Sequence, residues 1–149
     1  MNSNKNYKPV AILLVEDSPT DAMLAKEALE YSKVNNNLHV VTDGVEALAY
    51  LHKQGKYADA PRPDLILLDL NLPKKNGQEV LSEIKSSEEL KRIPVVILTT
   101  SADEKDIFEA YGEHANCYIV KPVDFEKFAK VVKQIENFWF SVVTLSADE

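Results

Sequence analysis

Residues Leu65–Gly77 read LILLDLNLPKKNG, and this stretch decides the fold. Four large aliphatic residues run without interruption into Asp69, and Asn71 follows two positions later. An uninterrupted aliphatic run predicts a strand that is buried on both faces, as in a parallel sheet covered by helices. Because a buried charge is costly, the carboxylate at the end of this run indicates a polar site where the strand meets solvent.

Apolar runs and amphipathic runs alternate along the rest of the chain. The predicted strands are Val10–Val15, Leu38–Val41, Leu65–Asp69, Val95–Leu98 and Cys117–Val120. The predicted helices run from the N-cap Ser18 to about Tyr31, from Asp43, from about Gln78 to Ser86, from Asp103 and from Asp124. Five strands alternating with five helices predict an α/β fold, a doubly wound parallel sheet with helices on both faces. In such folds ligands bind at the carboxyl ends of the strands.

Length and charge limit the possible partners. The 149 residues suit one domain, predicted over residues 9–141 between a polar N-terminal tail (1–8) and a C-terminal tail (142–149). A net charge of -7 argues against nucleic-acid binding, which usually needs a basic face. The N-terminus lacks a signal-peptide pattern, and no apolar run approaches the roughly 18 to 20 residues of a membrane span. With a single cysteine, Cys117, we expect a cytoplasmic protein without membrane contact.

Four of the five strand ends carry groups suited to an ion or a phosphate. These groups are Glu16 and Asp17, Asp69 and Asn71, Thr99 and Thr100, and Lys121. Crowded carboxylates repel one another unless a cation joins them, and their hard oxygens suit Mg²⁺ or Mn²⁺. A lysine and a hydroxyl opposite would hold phosphoryl oxygens, leaving Asp69 as a carboxylate nucleophile. Each residue alone could be a helix cap or a solvated side chain, but their coincidence at one crevice favours a functional site.

These motifs carry a resemblance. VEDS, LLDLNLP, VVILTTS and CYIVKP occur in that order, with Thr99 30 positions and Lys121 52 positions after Asp69. The sequence resembles the response-regulator receiver domain (CheY-like) of two-component signalling over nearly its whole length. LILLDLNLPKKNGQEVL, the longer loop after the second helix, and IENFWFSVVTL resemble more narrowly the small single-domain receivers that partner cyanobacterial and other bacterial phytochromes.

The resemblance implies a five-stranded, flavodoxin-like (CheY-like) receiver fold and a phosphorelay role rather than a turnover enzyme. Asp69 would accept a phosphoryl group from a sensor histidine kinase, a phytochrome, in a Mg²⁺-dependent self-phosphorylation followed by slow self-dephosphorylation. It also implies a role for each remaining site residue: Mg²⁺ (or Mn²⁺) on Glu16, Asp17, Asp69 and the backbone carbonyl of Asn71; phosphate pairing by Lys121; a hydrogen bond to phosphate from Thr99; and an aromatic switch at Tyr118.

The C-terminal region suggests how a signal leaves the domain. No output domain follows the receiver-like region, so we expect signalling through protein contacts. One helix face cannot bury all of Phe138, Trp139, Phe140 and Val142 in the same core. These residues either cap the domain's own core or form an exposed patch. We hypothesise a homodimer through the fourth helix, fifth strand and fifth helix, with this patch as part of the interface.

Three rival functions fit less well. An aspartate-nucleophile phosphatase of the haloacid-dehalogenase type typically has a second Asp two residues after the nucleophile, where this chain has Asn71. A flavodoxin-like cofactor binder needs a Ser/Thr/Gly-rich phosphate loop after the first strand, but VEDSPTD offers carboxylates there. A degenerate receiver that binds partners without phosphorylation is disfavoured by the full set of site residues.

Overall fold

The computed structural model describes residues 9–99, 117–120 and 124–134, without the side chains of Thr99, Cys117, Tyr118 and Val120. The strands are β1 (Val10–Val15), β2 (Asn36–Val41), β3 (Leu65–Asp69), β4 (Val95–Thr99) and β5 (Cys117–Val120). The α-helices are α1 (Pro19–Ser32), α2 (Gly44–Leu51) and α3 (Gly77–Ser86), followed by helical residues 125–134, which we call the C-terminal helix. A 3₁₀-helix, Gly55–Tyr57, lies in the loop after α2.

The five strands form one parallel sheet in the order β2-β1-β3-β4-β5. The order doubles back from β1, with β2 on one side and β3 to β5 on the other, which is the topological switch point of a doubly wound sheet. Val15 lies opposite Leu68 in the register of β1 and β3. The next residue in each of the two strands is acidic, so Glu16 lies beside Asp69.

Both faces of the central strand β3 are buried, as its unbroken aliphatic run predicted. Every residue of β3 is buried. Ile66 and Leu68 pack into a cluster with α2 and α3, whereas Leu65 and Leu67 pack into a second cluster with α1 and the C-terminal helix. Burial of each such side chain stabilises the fold by about 1.5 to 3 kcal/mol relative to exposure. The core therefore holds β3 rigidly and brings Asp69 to the carboxyl edge of the sheet.

The helices begin where side chains can satisfy their free backbone N–H groups. Ser18 caps α1 by accepting from Asp21 N at 3.2 Å, and Pro19 occupies the first turn. Asp43 caps α2 by accepting from Glu46 N at 2.8 Å. Asn76 caps α3 in a reciprocal capping box with Glu79. Ser18 and Asp43 start α1 and α2 directly after short turns from β1 and β2, whereas residues 70–76 form a longer loop between β3 and α3.

The sequence-based prediction of the fold is confirmed in its α/β class and parallel sheet, with small differences in boundaries. β2 begins at Asn36 rather than Leu38, because Asn36 and Asn37 pair with Val10 and Ala11 of β1 despite their low strand propensity. The predicted fourth helix, from Asp103, lies outside the described residues, so the count of five helices stays a prediction: the described part contains four α-helical segments. No helix in the described ranges is long and apolar enough to cross a bilayer.

Candidate functional site

Three carboxylates meet at the carboxyl ends of β1 and β3. Glu16, Asp17 and Asp69 each place one carboxylate oxygen within 4.8 Å of the other two. Glu16 and Asp69 are buried, whereas Asp17 is exposed. The in-register strands bring the first and last of these residues together, and the turn into α1 adds Asp17 from the solvent side. The arrangement, which we call the acidic crevice, has two buried carboxylates and one exposed carboxylate.

Backbone contacts hold the β1 side of this crevice. The Glu16 amide donates to the carbonyl of Val41 at 2.9 Å, which ties the end of β1 to the end of β2. The Glu16 carboxylate in turn accepts from the amide of Ser18 at 3.2 Å. Because Ser18 caps α1, the Glu16 side chain is positioned by the same turn that starts the helix. Asp17 lies between these two anchored residues in the chain, so its backbone is held at the edge of the crevice.

Asp69 is held from the β3 side. Asp69 is only 3% exposed, and its Oδ1 accepts a hydrogen bond from the Asn71 amide at 3.0 Å. The backbone continues the sheet for one more residue, since the Leu70 amide donates to the carbonyl of Leu98 at 3.2 Å. The Asn71 amide therefore orients the carboxylate, while the carbonyl of Asn71 lies in the loop that leaves the crevice.

Gly77 is a site-supporting residue that the sequence analysis did not single out. A Cβ at this position would lie 2.3 Å from the Asp69 carbonyl oxygen and 2.6 Å from Leu70 Cα. The Gly77 amide donates to the Leu70 carbonyl at 3.0 Å, so α3 starts in direct contact with the end of β3. Glycine in a helix costs stability relative to alanine. A glycine directly after the N-cap Asn76 is therefore a sequence signal of a close backbone approach.

The remaining predicted site residues are placed only in part. Thr99 is the last residue of β4 and lies opposite Val120 of β5, and Asp69 lies opposite Leu98, so Thr99 follows at the same sheet edge. Tyr118 lies opposite Ile97. Lys121 comes directly after β5 in the sequence but lies outside the described residues, as do Thr100 and the proposed interface residues Phe138, Trp139, Phe140 and Val142.

The donor set of the acidic crevice fits a divalent cation. Two carboxylates 4.8 Å apart repel each other by about 3.5 kcal/mol at an effective dielectric constant of about 20, and two of the three groups here are shielded from bulk water. All three residues offer oxygen, the donor that hard divalent cations prefer, and the exposed Asp17 leaves an opening for coordinated waters. The crevice therefore has the chemistry of a divalent-metal site.

Comparison with known proteins identifies the family. Residues 12–133 match the model of the response regulator receiver domain. The chain belongs to this family. It is 50% identical over 145 residues to the response regulator Rcp1 of Synechocystis sp., covering 97% of this chain and 99% of Rcp1. The receiver fold and the phosphorelay role that the sequence motifs predicted are thereby confirmed.

Solved structures of related receivers superpose on this one. The crystal structure of the phosphorylated cyanobacterial phytochrome response regulator RcpA has 55% identity and a TM-score of 0.77, covering 91% of this chain and 96% of RcpA. The Mn(2+)-bound form of Rcp1 has 52% identity and a TM-score of 0.76, covering 88% of this chain and 94% of that one. Similar receivers have therefore been captured in a phosphorylated form and in a metal-bound form.

Proposed function

We propose that this receiver accepts a phosphoryl group on Asp69 from a phosphohistidine of a sensor histidine kinase. The observation that carries the proposal is the geometry of Asp69 itself. Its carboxylate ends a fully buried strand, accepts a hydrogen bond from the Asn71 amide, and lies within 4.8 Å of two further carboxylates at an open crevice. A nucleophile held this way loses little conformational freedom when a donor docks.

The proposed reaction is a transfer between two side chains. An Asp69 oxygen forms a bond to phosphorus while the bond from phosphorus to the kinase histidine nitrogen breaks, and the electron pair of that bond stays on the imidazole, which takes up a proton. In-line transfer needs little covalent assistance from the protein and depends on positioning and charge. The Asn71 amide orients the carboxylate, and Lys121 is proposed to pair with the phosphoryl oxygens.

A divalent cation, Mg²⁺ with Mn²⁺ as an alternative, is proposed to bind Glu16, Asp17, Asp69 and the backbone carbonyl of Asn71. When bound, such an ion offsets negative charge on the carboxylates and on the transferring phosphoryl group. The convergence of the three carboxylates supports this proposal, as does the Mn(2+)-bound form of the related Rcp1. Slow self-dephosphorylation would use the same groups, with water in place of the imidazole.

A phytochrome is the proposed kinase. The support is the similarity to RcpA, which is described as a cyanobacterial phytochrome response regulator, over 91% of this chain. We further propose a cytoplasmic location, no nucleic-acid partner, and a receiver domain at residues 9–141 flanked by tails at 1–8 and 142–149. The family match over residues 12–133 supports the central part of that range.

Phosphorylation is proposed to act by shifting a conformational equilibrium. The new charge at Asp69 would draw in the hydroxyl of Thr99, and Tyr118 would follow, because a phosphoryl group adds negative charge and acceptor oxygens beyond those of the carboxylate. The output surface is proposed to be a homodimer interface of the fourth helix, β5 and the C-terminal helix, extended by Phe138, Trp139, Phe140 and Val142. The placement of Thr99 and Tyr118 on neighbouring strands supports this route.

The test is phosphotransfer to an Asp69→Asn variant. A radiolabelled phosphorylated phytochrome kinase should label the wild-type receiver and leave Asp69→Asn unlabelled, because the amide is not a nucleophile for phosphorus. Asp59→Asn is the matched control, since Asp59 is an exposed carboxylate in the loop after α2 and should be labelled like wild type. Undiminished labelling of Asp69→Asn would refute the assignment of the phosphoacceptor.

A further inference from the structure

The start of α2, which follows β2, is in contact with the loop that leaves the acidic crevice. This loop, residues 70–76, joins Asp69 to α3 and carries Asn71. Gly44, the first residue of α2, is buried against it. A Cβ at Gly44 would lie 2.1 Å from the Lys75 carbonyl oxygen and 2.8 Å from both the carbonyl carbon and the Cβ of Lys75. Only a glycine permits this approach of α2 to the loop.

A second contact joins the same two segments. The Asp43 carboxylate divides its two oxygens, since Oδ1 caps α2 by accepting from Glu46 N and Oδ2 lies 3.5 Å from Lys74 Nζ. Lys74 has a left-handed backbone, with φ of 66°, next to the point where Lys75 meets Gly44. Because the Lys74 side chain is 68% exposed, its ion pair contributes little, and the backbone contact at Gly44 is the stronger restraint.

The loop is thus held at both ends by glycines. At its start, the Gly77 position lies against the Asp69 carbonyl and Leu70, and at its far end the Gly44 position lies against Lys75. Between these contacts the chain has few ways to move, since the Leu72 side chain also packs on the core between the sheet and helices α2 and α3. The position of the Asn71 carbonyl is therefore a consequence of how closely α2 approaches.

We propose that Gly44 is a positioning residue of the receiver site: by letting α2 close on residues 73–76, it sets the location of the Asn71 carbonyl relative to Asp69. This inference rests on the proposed function, in which that carbonyl is a metal ligand. Gly44 touches neither the phosphoryl donor nor the cation. Its effect is transmitted through the loop backbone, and its role is to exclude a side chain from the contact.

The size of the effect follows from the contact distance. An alanine methyl at 2.1 Å from a backbone oxygen must retreat by about 1.3 Å to reach an ordinary contact of 3.4 Å. Two of its three nearest atoms, the carbonyl oxygen and carbon of Lys75, are backbone, so the loop or α2 must shift. Metal–oxygen distances tolerate deviations of only about 0.2 Å. Loss of a supporting outer contact typically lowers metal affinity by about 10- to 100-fold, which is the loss we expect for Gly44→Ala.

The experiment is a Mn²⁺ titration of the full chain, read by electron paramagnetic resonance of free Mn²⁺, with unfolding followed in chelator. Gly55→Ala is the matched control, because Gly55 has φ of 55° and no neighbour within 4 Å of a Cβ, so the substitution strains the backbone away from the site. We expect Gly44→Ala to lose about 10- to 100-fold in Mn²⁺ affinity and in phosphotransfer rate, while Gly55→Ala loses only stability.

The alternatives give different results. If Gly44 were merely a helix residue, alanine would improve helix propensity and leave Mn²⁺ affinity at the wild-type value, which would overturn the inference. If wild type itself bound no Mn²⁺ and accepted no phosphoryl group, the proposed function would fail instead. Should Gly44→Ala be too unstable to titrate directly, its unfolding midpoint is followed across a series of Mn²⁺ concentrations beside wild type. A Mn²⁺-dependent rise of the midpoint that is smaller than in wild type supports the inference, and an equal rise overturns it.

Discussion

Asp17→Asn should be more stable than wild type without a divalent cation and less stable than wild type when the cation is added. Asp17 is the exposed member of the acidic cluster, and its carboxylate oxygen lies within 4.8 Å of those of Glu16 and Asp69. Without a cation the wild-type crevice holds three repelling charges, so Asp17→Asn should be the more stable protein. With a cation those charges are joined, so the wild type should be the more stable protein.

The difference in unfolding free energy between Asp17→Asn and wild type without metal follows from the distances between the carboxylates. A pair of charges at 4.8 Å repels by about 0.9 kcal/mol at a dielectric constant of 80 and by about 3.5 kcal/mol at 20. Because Asp17 is exposed, we take about 1 kcal/mol for each of its two pairs. Loss of its favourable charge at the start of α1 offsets about 0.5 to 1 kcal/mol. The net gain is about 1 kcal/mol, which raises Tm by about 2 to 4 °C for a chain of this size.

The magnitude with metal follows from linkage. A cation at about 100 times its Kd stabilises the wild type by about 2.7 kcal/mol. If removing one carboxylate weakens binding by about 100-fold, the same cation concentration stabilises Asp17→Asn by only about 0.4 kcal/mol. The wild type then becomes the more stable protein by roughly 1 kcal/mol, the reverse of the order in chelator.

Thermal unfolding in EDTA and in saturating MgCl₂ or MnCl₂ shows which of the two proteins, wild type or Asp17→Asn, is the more stable in each medium. Asp59→Asn removes the same charge from an exposed loop position outside the cluster and should show the same small shift in both media. The reasoning is refuted if Asp17→Asn is destabilised in EDTA, or if added cation raises Tm equally for Asp17→Asn and wild type.

Two further predictions concern other surfaces. The hydrogen bond from Tyr57 Oη to Glu46, at 2.6 Å, is the main cause that holds the pKa of Glu46 below its ordinary value of 4.5, with the Lys56 charge as a smaller cause. The resulting stability is present above pH 4.5 and is lost as pH falls through the folded-state pKa. Tyr57→Phe should therefore be less stable than wild type at pH 7, and urea unfolding should show this difference in unfolding free energy closing at acid pH. A difference that does not change with pH contradicts the prediction. Sedimentation at micromolar concentration, with and without a phosphoryl mimic, should detect the proposed homodimer, and a monomer in both states would refute it.

The sequence determined the identity of the strands and the chemistry of the site. An unbroken aliphatic run ending in Asp69 already implied a two-sided core and a polar strand end, because only a strand covered on both faces needs apolar residues at successive positions. The acidic pair after β1 could be assigned to the same edge, since parallel strands share one carboxyl edge. Patterns of this kind depend on residues that are close together in the sequence, so they can be recognised before the tertiary structure is known.

Tertiary structure alone decided the distances and the close contacts. Which acidic residues meet depends on the register that sets Val15 opposite Leu68, and a slip of one residue would send the side chains to opposite faces. The neighbours of Gly44 and Gly77 could not be read from the sequence, because a glycine shows that a side chain is missing and not which neighbour requires its absence. In this receiver the neighbours are Lys75 and Asp69, which the sequence separates from Gly44 and Gly77 and which packing brings to within atomic contact.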